Sequence, residues 1–168
     1  LDRSSAASDV YKRQKLIIAP HVIAESHLEE IIGKLNRTVV RYTQATEANV
    51  RQADCLIIDC FGLLSSIYRY GEIAYIGGGF GVSIHNTLEA AVYGIPVIFG
   101  PENRKFLEAQ GLKQCQGGFE IHGEKDFIQL MDRFLSDYSF LDKSGKRAGN
   151  YVRDNSGALE KIMNTVKF

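Results

Sequence analysis

The stretch Ile73-Ala74-Tyr75-Ile76-Gly77-Gly78-Gly79-Phe80-Gly81 constrains this chain more than any other. Four glycines within five residues, directly after an apolar run, suit neither a helix interior nor a strand interior. Ile73 to Ile76 reads as a short buried strand of a parallel sheet. The glycines give a turn whose backbone can take positive φ and approach a ligand closely. A helix is predicted from Ser83 or Ile84, with Ile84, Leu88, Ala91 and Val92 on one face and Asn86, Glu89 and Tyr93 on another. Gly94 closes that helix as a C-cap, and Pro96 opens the next strand, Val97 to Phe99. Strand, glycine turn, helix, strand is the grammar of a parallel α/β sheet.

The chemistry this block suits is nucleotide or phosphate binding. A phosphate can rest on a glycine turn at a helix start, where N–H groups lack partners. Glu89 would then accept hydrogen bonds from ribose hydroxyls. An equal reading is that Asn86 and Glu89 only favour the helix dipole and solvate its first turn. The spacing is not the dinucleotide fingerprint, which lacks His-Asn-x-x-Glu.

The rest of the chain repeats the alternation. Leu16 to Ala19 is a strand ending at Pro20-His21, followed by a helix from about Val22 to Leu35 with Leu28, Ile31, Ile32 and Leu35 inward. Thr38 to Tyr42 is the next strand, Glu47 to Gln52 a short helix, and Cys55 to Asp59 a buried strand. Leu64, Ile67 and Tyr68 then share a helix face. Past the central block come a helix over Glu102 to Gly111, a strand over Gly118 to Ile121, and a helix over Glu124 to Tyr138 with Phe127, Leu130, Met131, Phe134 and Leu135 facing the core. Two terminal helices are predicted, Phe140 to Asn150 and Gly157 to Val166. Residues 1–14 show no periodicity and read as a loose or disordered tail, either non-native in origin or a native linker. The fold class is therefore α/β, a Rossmann-like parallel sheet with helices on both faces, filling residues 15–168 as one domain.

Composition narrows the function classes. Twenty basic and twenty acidic residues balance, which argues against a nucleic-acid surface. Cys55, Cys60 and Cys115 lack metal-ligand spacing and read as buried thiols in a reducing compartment. No apolar run approaches the ~20 residues a membrane span needs, so the piece itself is expected to be soluble, with no metal and no cofactor.

Gly-Gly-Gly-Phe-Gly-x-x-Ile-His-Asn-x-Leu-Glu-Ala-Ala over residues 77–91, with Gly-Ile-Pro-Val-Ile-Phe-Gly-Pro over 94–101, resembles the donor-binding half of the 3-deoxy-D-manno-octulosonic acid (Kdo) transferases. The resemblance covers roughly residues 15–168. It implies the C-terminal half of a GT-B glycosyltransferase and a CMP-Kdo binding domain. The whole enzyme would transfer Kdo from CMP-Kdo to the lipid A precursor (lipid IVA) in lipopolysaccharide biosynthesis, at the cytoplasmic face of the bacterial inner membrane.

It further implies that Pro20 and His21 hold the CMP moiety, and that Phe61, Gly62 and Leu63 touch the nucleotide. Gly78, Gly79, Gly81, Asn86, Thr87, Leu88 and Glu89 complete the donor site. Leu63 stands where the family commonly has glutamate, and Val82 and Ser83 where relatives carry a basic residue and glycine. Asn103, Arg104 and Lys105 are secondary candidates for a donor carboxylate or phosphate. His85 fits a ligand contact or a structural donor over the turn, with the structural role weighted higher, and His27 reads as a solvated helix residue. By the same resemblance the catalytic base, the lipid acceptor site and any membrane contact belong to an N-terminal domain absent here, leaving this piece inactive in transfer. Two other readings stay open: a UDP-sugar transferase or epimerase domain, and a catalytically silent interaction module.

Overall fold

A computed structural model describes residues 14–81, 83–157 and 165. The chain divides into two units, residues 1–67 and 68–168. Of the predicted tail, only Gln14 is among the described residues; its carbonyl accepts a hydrogen bond from Arg37 at 2.9 Å. Most of the helix predicted over 157–166 also lies outside them.

In the first unit, β1 (Leu16–Ile18), α1 (Glu25–Lys34), β2 (Val39–Arg41), α2 (Glu47–Gln52), β3 (Cys55–Ile57) and α3 (Leu64–Ile67) follow the predicted order. The sheet order is β1-β3-β2, and both ladders are parallel, with Leu16 and Val39 each opposite Cys55. Leu28, Cys55 and Ile57 form the buried centre, and Ile31, Ile32 and Leu35 close over it, as the helical spacing requires. Helix α1 starts at Glu25 rather than Val22, because Ala24 holds an extended backbone (ψ 141°) and Glu25 places an anion in the first turn. Thr46 and Asn49 cap α2 reciprocally, each side chain bonding the other's backbone N–H.

The second unit holds β4 (Ala74–Ile76), α4 (Leu88–Ala91), β5 (Val97–Phe99), α5 (Leu107–Gln114), β6 (Gly118–Glu120), α6 (Glu124–Ser136) and α7 (Tyr138–Asp154). Its strands run parallel in the order β4-β5-β6. Strand β5 is central and wholly buried, so it carries no alternation. Val97 and Phe99 pack with Ala90, Ala91, Ala109, Leu112 and Ala148, while Ile98 packs with Ile121 and Phe134. Helices therefore cover both faces, as predicted. On the second face Phe119, Phe134 and Phe140 interlock, edge-on at 5.2 Å and stacked at 5.1 Å. The hydrogen-bonded ladders form two three-stranded sheets, one in each unit.

Further helix boundaries in this unit differ from the sequence reading. Residues 102–105 form a turn, and α5 begins after Phe106, whose ψ of 103° is incompatible with a helix. Helix α6 ends before Asp137, which leaves helical geometry (ψ 87°) and accepts the Phe140 N–H at 2.9 Å, thereby starting α7. Helix α7 then runs unbroken for 17 residues, longer than the predicted Phe140 to Asn150.

Candidate functional site

The glycine turn leaves the C-terminal end of β4, the edge of a parallel sheet where ligands bind. Gly78, Gly79 and Gly81 all have positive φ, 85°, 82° and 83°. They serve different ends. A Cβ on Gly78 would sit 2.2 Å from the Ser83 carbonyl oxygen, and one on Gly79 would meet the Gly100 backbone at 2.8 Å. These two glycines let the turn fold onto its own neighbours. Around Gly81 there is open space, so its backbone is the part free to receive a ligand. The turn is tied at both ends: the His85 N–H donates to the Gly77 carbonyl (3.2 Å) and the Glu102 N–H to the Gly79 carbonyl (3.0 Å). His85 thus has a backbone role over the turn.

The helix predicted from Ser83 or Ile84 begins only at Leu88 and holds four residues. Asn86 is the cause. Its Oδ1 accepts the Leu88 N–H at 3.0 Å and its Nδ2 donates to Glu89 Oε1 at 3.1 Å. The first helical N–H is thereby already engaged, and a one-turn helix has little dipole. What remains is a polar pair, Asn86 with Glu89, on the chain that follows the turn. Glu89 is half-buried and Asn86 exposed. Tyr68 lies near this carboxylate: burial first, then the Glu89 charge, pushes its phenol pKa up. Sequence reading assigned Tyr68 only to packing, and no spacing signal links it to Glu89.

Thr87 is fully buried, and its hydroxyl has no hydrogen-bond partner among the described residues, so its side chain faces no solvent. Leu88 is partly buried and packs against the core. Val92, expected on the apolar face, lies past the shortened helix and is 55% exposed.

The first unit gathers the other candidates at one sheet edge. Pro20 and His21 follow β1, and Phe61, Gly62 and Leu63 follow β3, its parallel neighbour. The Ile58 N–H donates to the Ile18 carbonyl at 2.8 Å, carrying that pairing just past the strand ends. Phe61 is 80% exposed, and Gly62 has φ 88° with open space around it. Leu63 is half-buried, and its carbonyl accepts the Ser66 and Ile67 N–H groups at 3.0 Å each, starting α3.

Asp59 underpins this edge. Its buried carboxylate accepts from Thr43 Oγ1 (2.6 Å), the Thr43 N–H (2.9 Å) and Arg41 Nε (2.9 Å), and Arg41 also pairs with Glu25. Burial alone pushes the carboxyl up, but these donors outweigh it and hold the pKa at about 2. A depressed folded pKa stabilises above the unfolded value and is lost as pH falls towards about 2. Asp59→Asn is therefore expected to lose on the order of 2 kcal/mol near neutral pH. Denaturant unfolding of both proteins across the acid range checks this: the gap should close as the wild-type carboxylate protonates, and a pH-independent gap would refute it.

Of the secondary candidates, Asn103 is fully buried and bonded to protein groups alone, which removes it from any donor contact, whereas Arg104 and Lys105 are exposed. His27 pairs with Glu30 at 3.7 Å on an exposed helix face, as a solvated residue would. Among the described residues no three His, Cys, Asp or Glu side chains converge as a metal site, and no helix is long and apolar enough to cross a membrane.

No family model matches the chain. Curated proteins do. A 3-deoxy-D-manno-octulosonic acid transferase from Aquifex aeolicus (strain VF5) is 34% identical over 147 residues, covering 84% of this chain and 40% of that protein. The enzyme of the same name from Rickettsia conorii is 29% identical over 116 residues, 67% of this chain and 25% of that protein. A bifunctional glycosyltransferase/methyltransferase from Fusobacterium nucleatum is 27% identical over 95% of this chain and 26% of its own length. The chain thus spans well under half of each of these relatives. A crystal structure of the C-terminal CMP-Kdo binding domain of WaaA from Acinetobacter baumannii matches with a TM-score of 0.72 at 15% identity, over 89% of this chain and 97% of that one. At that identity the match speaks to the fold, which is that of a GT-B C-terminal domain.

Proposed function

We propose a donor-binding role for this chain, which is a relative in sequence of the Kdo transferases, a glycosyltransferase family. Its ligand is CMP-Kdo, the molecule named for the domain with the same fold. The observation that carries the reading is the turn at the end of β4, with open space around Gly81, followed in the chain by the hydrogen-bonded Asn86–Glu89 pair. The cytidine ribose presents a vicinal diol, and Glu89 is the carboxylate that accepts from it. Asn86 fixes that carboxylate before the ligand arrives, so less ordering entropy is lost on binding. Pro20, His21, Phe61, Gly62 and Leu63 are assigned to nucleotide binding on the family resemblance alone. Thr87 and Leu88 are assigned to the donor site on the family resemblance alone.

The whole enzyme is proposed to move Kdo from CMP-Kdo onto lipid IVA in lipopolysaccharide biosynthesis, at the cytoplasmic face of the inner membrane. The catalytic base and the lipid acceptor site are assigned to the part of the relatives that this chain does not span. No cofactor or metal ion is assigned to the reaction. The chain alone is accordingly expected to bind donor nucleotide without transferring sugar, and Kdo transfer by residues 1–168 would overturn that assignment.

Calorimetry tests the ligand. CMP should bind, and Glu89→Ala should weaken it by about tenfold or more through loss of charge-assisted bonds to the ribose. A clear preference for UDP would favour a UDP-sugar enzyme instead, and absence of binding to either would favour a silent module.

A further inference from the structure

The glycine turn does not hold its own shape; it rests on a second loop. A Cβ on Gly100 would lie 2.7 Å from the Gly79 carbonyl oxygen and 2.8 Å from the Phe80 ring. With the Glu102 N–H bonded to the Gly79 carbonyl, the backbone of 100–102 forms the floor under 79–80. Whatever fixes that floor fixes the turn.

Asn103 fixes it. Its Nδ2 donates to the Gly100 carbonyl and to Glu120 Oε2, both at 2.8 Å. Its Oδ1 accepts from Gln110 Nε2 at 2.8 Å and from Lys113 Nζ at 3.2 Å. All four bonding positions of the amide are filled, so only one orientation of the side chain satisfies the cluster. Lys113 Nζ closes the ring on the same Glu120 oxygen at 2.6 Å, and His122 Nε2 meets the other at 3.0 Å. Glu120 is the shared acceptor. Burial alone pushes its carboxyl pKa up, but Lys113 and Asn103 prevail and hold it below the usual range. A hydrogen-bonded ring built on a buried, fully satisfied amide rigidifies what it touches. This one touches the carbonyl of Gly100.

We propose that Glu120, acting through Asn103, is a positioning residue for the donor nucleotide: it sets the height of the 100–102 floor and so the shape of the glycine turn. The inference rests on the donor-binding reading of that turn. Glu120 lies at the end of β6, touches no proposed ligand, and acts only through this chain of contacts.

The test compares wild-type protein, Glu120→Ala and Glu120→Gln over the full chain. Removing the carboxylate leaves the Asn103 amide and the Lys113 ammonium without their shared acceptor, whereas glutamine supplies one neutral oxygen in the same place. Amide hydrogen exchange, read without ligand, should show the Glu102 N–H losing protection about tenfold or more in Glu120→Ala while amides of β5 keep theirs, with glutamine restoring most of it. CMP affinity should fall by about tenfold in the alanine variant and recover in the glutamine variant. An unchanged Glu102 amide, or protection lost equally across β5, overturns the proposal, the second result marking a role in general stability. If wild-type protein ignores CMP, the donor-binding reading fails, and with it the positioning role; the exchange pattern then reports whether the brace itself exists.

Discussion

Gly79→Ala is expected to destabilise the second unit by about 2–4 kcal/mol and to abolish nucleotide binding. Two costs act together. At φ 82° an L side chain is strained in any surroundings. The added methyl would also lie 2.8 Å from Gly100 Cα, 2.9 Å from its carbonyl carbon and 2.8 Å from Ile84 Cγ2. Two of these neighbours are backbone atoms and cannot swing aside, so one loop must lift. That movement breaks the Glu102 to Gly79 hydrogen bond and distorts the ligand-facing backbone at Gly81. Thermal unfolding and CMP calorimetry on the same preparation check both effects. Gly81→Ala separates them: its φ is equally positive, but open space surrounds it, so the clash is absent. The fold should survive with only the conformational cost. A Gly79→Ala protein as stable as wild type would remove the two-loop packing on which the site is built.

Gly145→Ala is the second large effect. It lies inside α7, where alanine would ordinarily gain about 0.5–1 kcal/mol over glycine. Here the new Cβ would stand 2.2 Å from the Gly94 carbonyl oxygen and 3.4 Å from Ile95 Cα. Helix α7 runs directly across the backbone that follows α4, and overpacking against main chain outweighs the propensity gain. We expect a net loss of about 1–3 kcal/mol. Gly33→Ala supplies the contrast. That residue is in α1 with nothing within 4 Å of the new methyl, so propensity acts alone and stability should rise. Opposite signs for the same chemical change, read as shifts in unfolding midpoint, would show that space and not glycine content decides. Equal signs would contradict it.

Much of this architecture is legible without coordinates because it rests on periodicity. Leu28, Ile31, Ile32 and Leu35 mark the buried face of α1, and Phe127, Leu130, Met131 and Phe134 that of α6, since helical spacing alone aligns them. The strands announce themselves as short apolar runs between turn residues. What sequence misses is set by individual side chains. Asn86 looks like a first-turn residue of a longer helix, yet its amide pre-empts the Leu88 N–H and defers the helix. Asn103, next to Arg104 and Lys105, looks solvated; its burial depends on Lys113 and Glu120, ten and seventeen residues away, meeting it in space. Asp137 reads as helix and is a break because its carboxylate caps the next one. The glycines at 78 and 79 look ready for a ligand, whereas their missing side chains make room for Ser83 and Gly100. The ligand itself comes from the family resemblance, since glycine turn and glutamate alone suit several nucleotides.

Amide NMR during CMP titration tests whether a cytidine nucleotide lodges at the end of β4. The second unit offers a hollow for comparison, about 480 Å³, among Gly71, Tyr93, Tyr138 and Arg153, before β4 and β5 rather than after them. Saturable shifts confined to the amides of Gly81, Asn86 and Glu89 and their neighbours are the expected result. Shifts centred on Gly71 and Tyr93, or none at any CMP concentration, would show that no cytidine nucleotide binds at the end of β4.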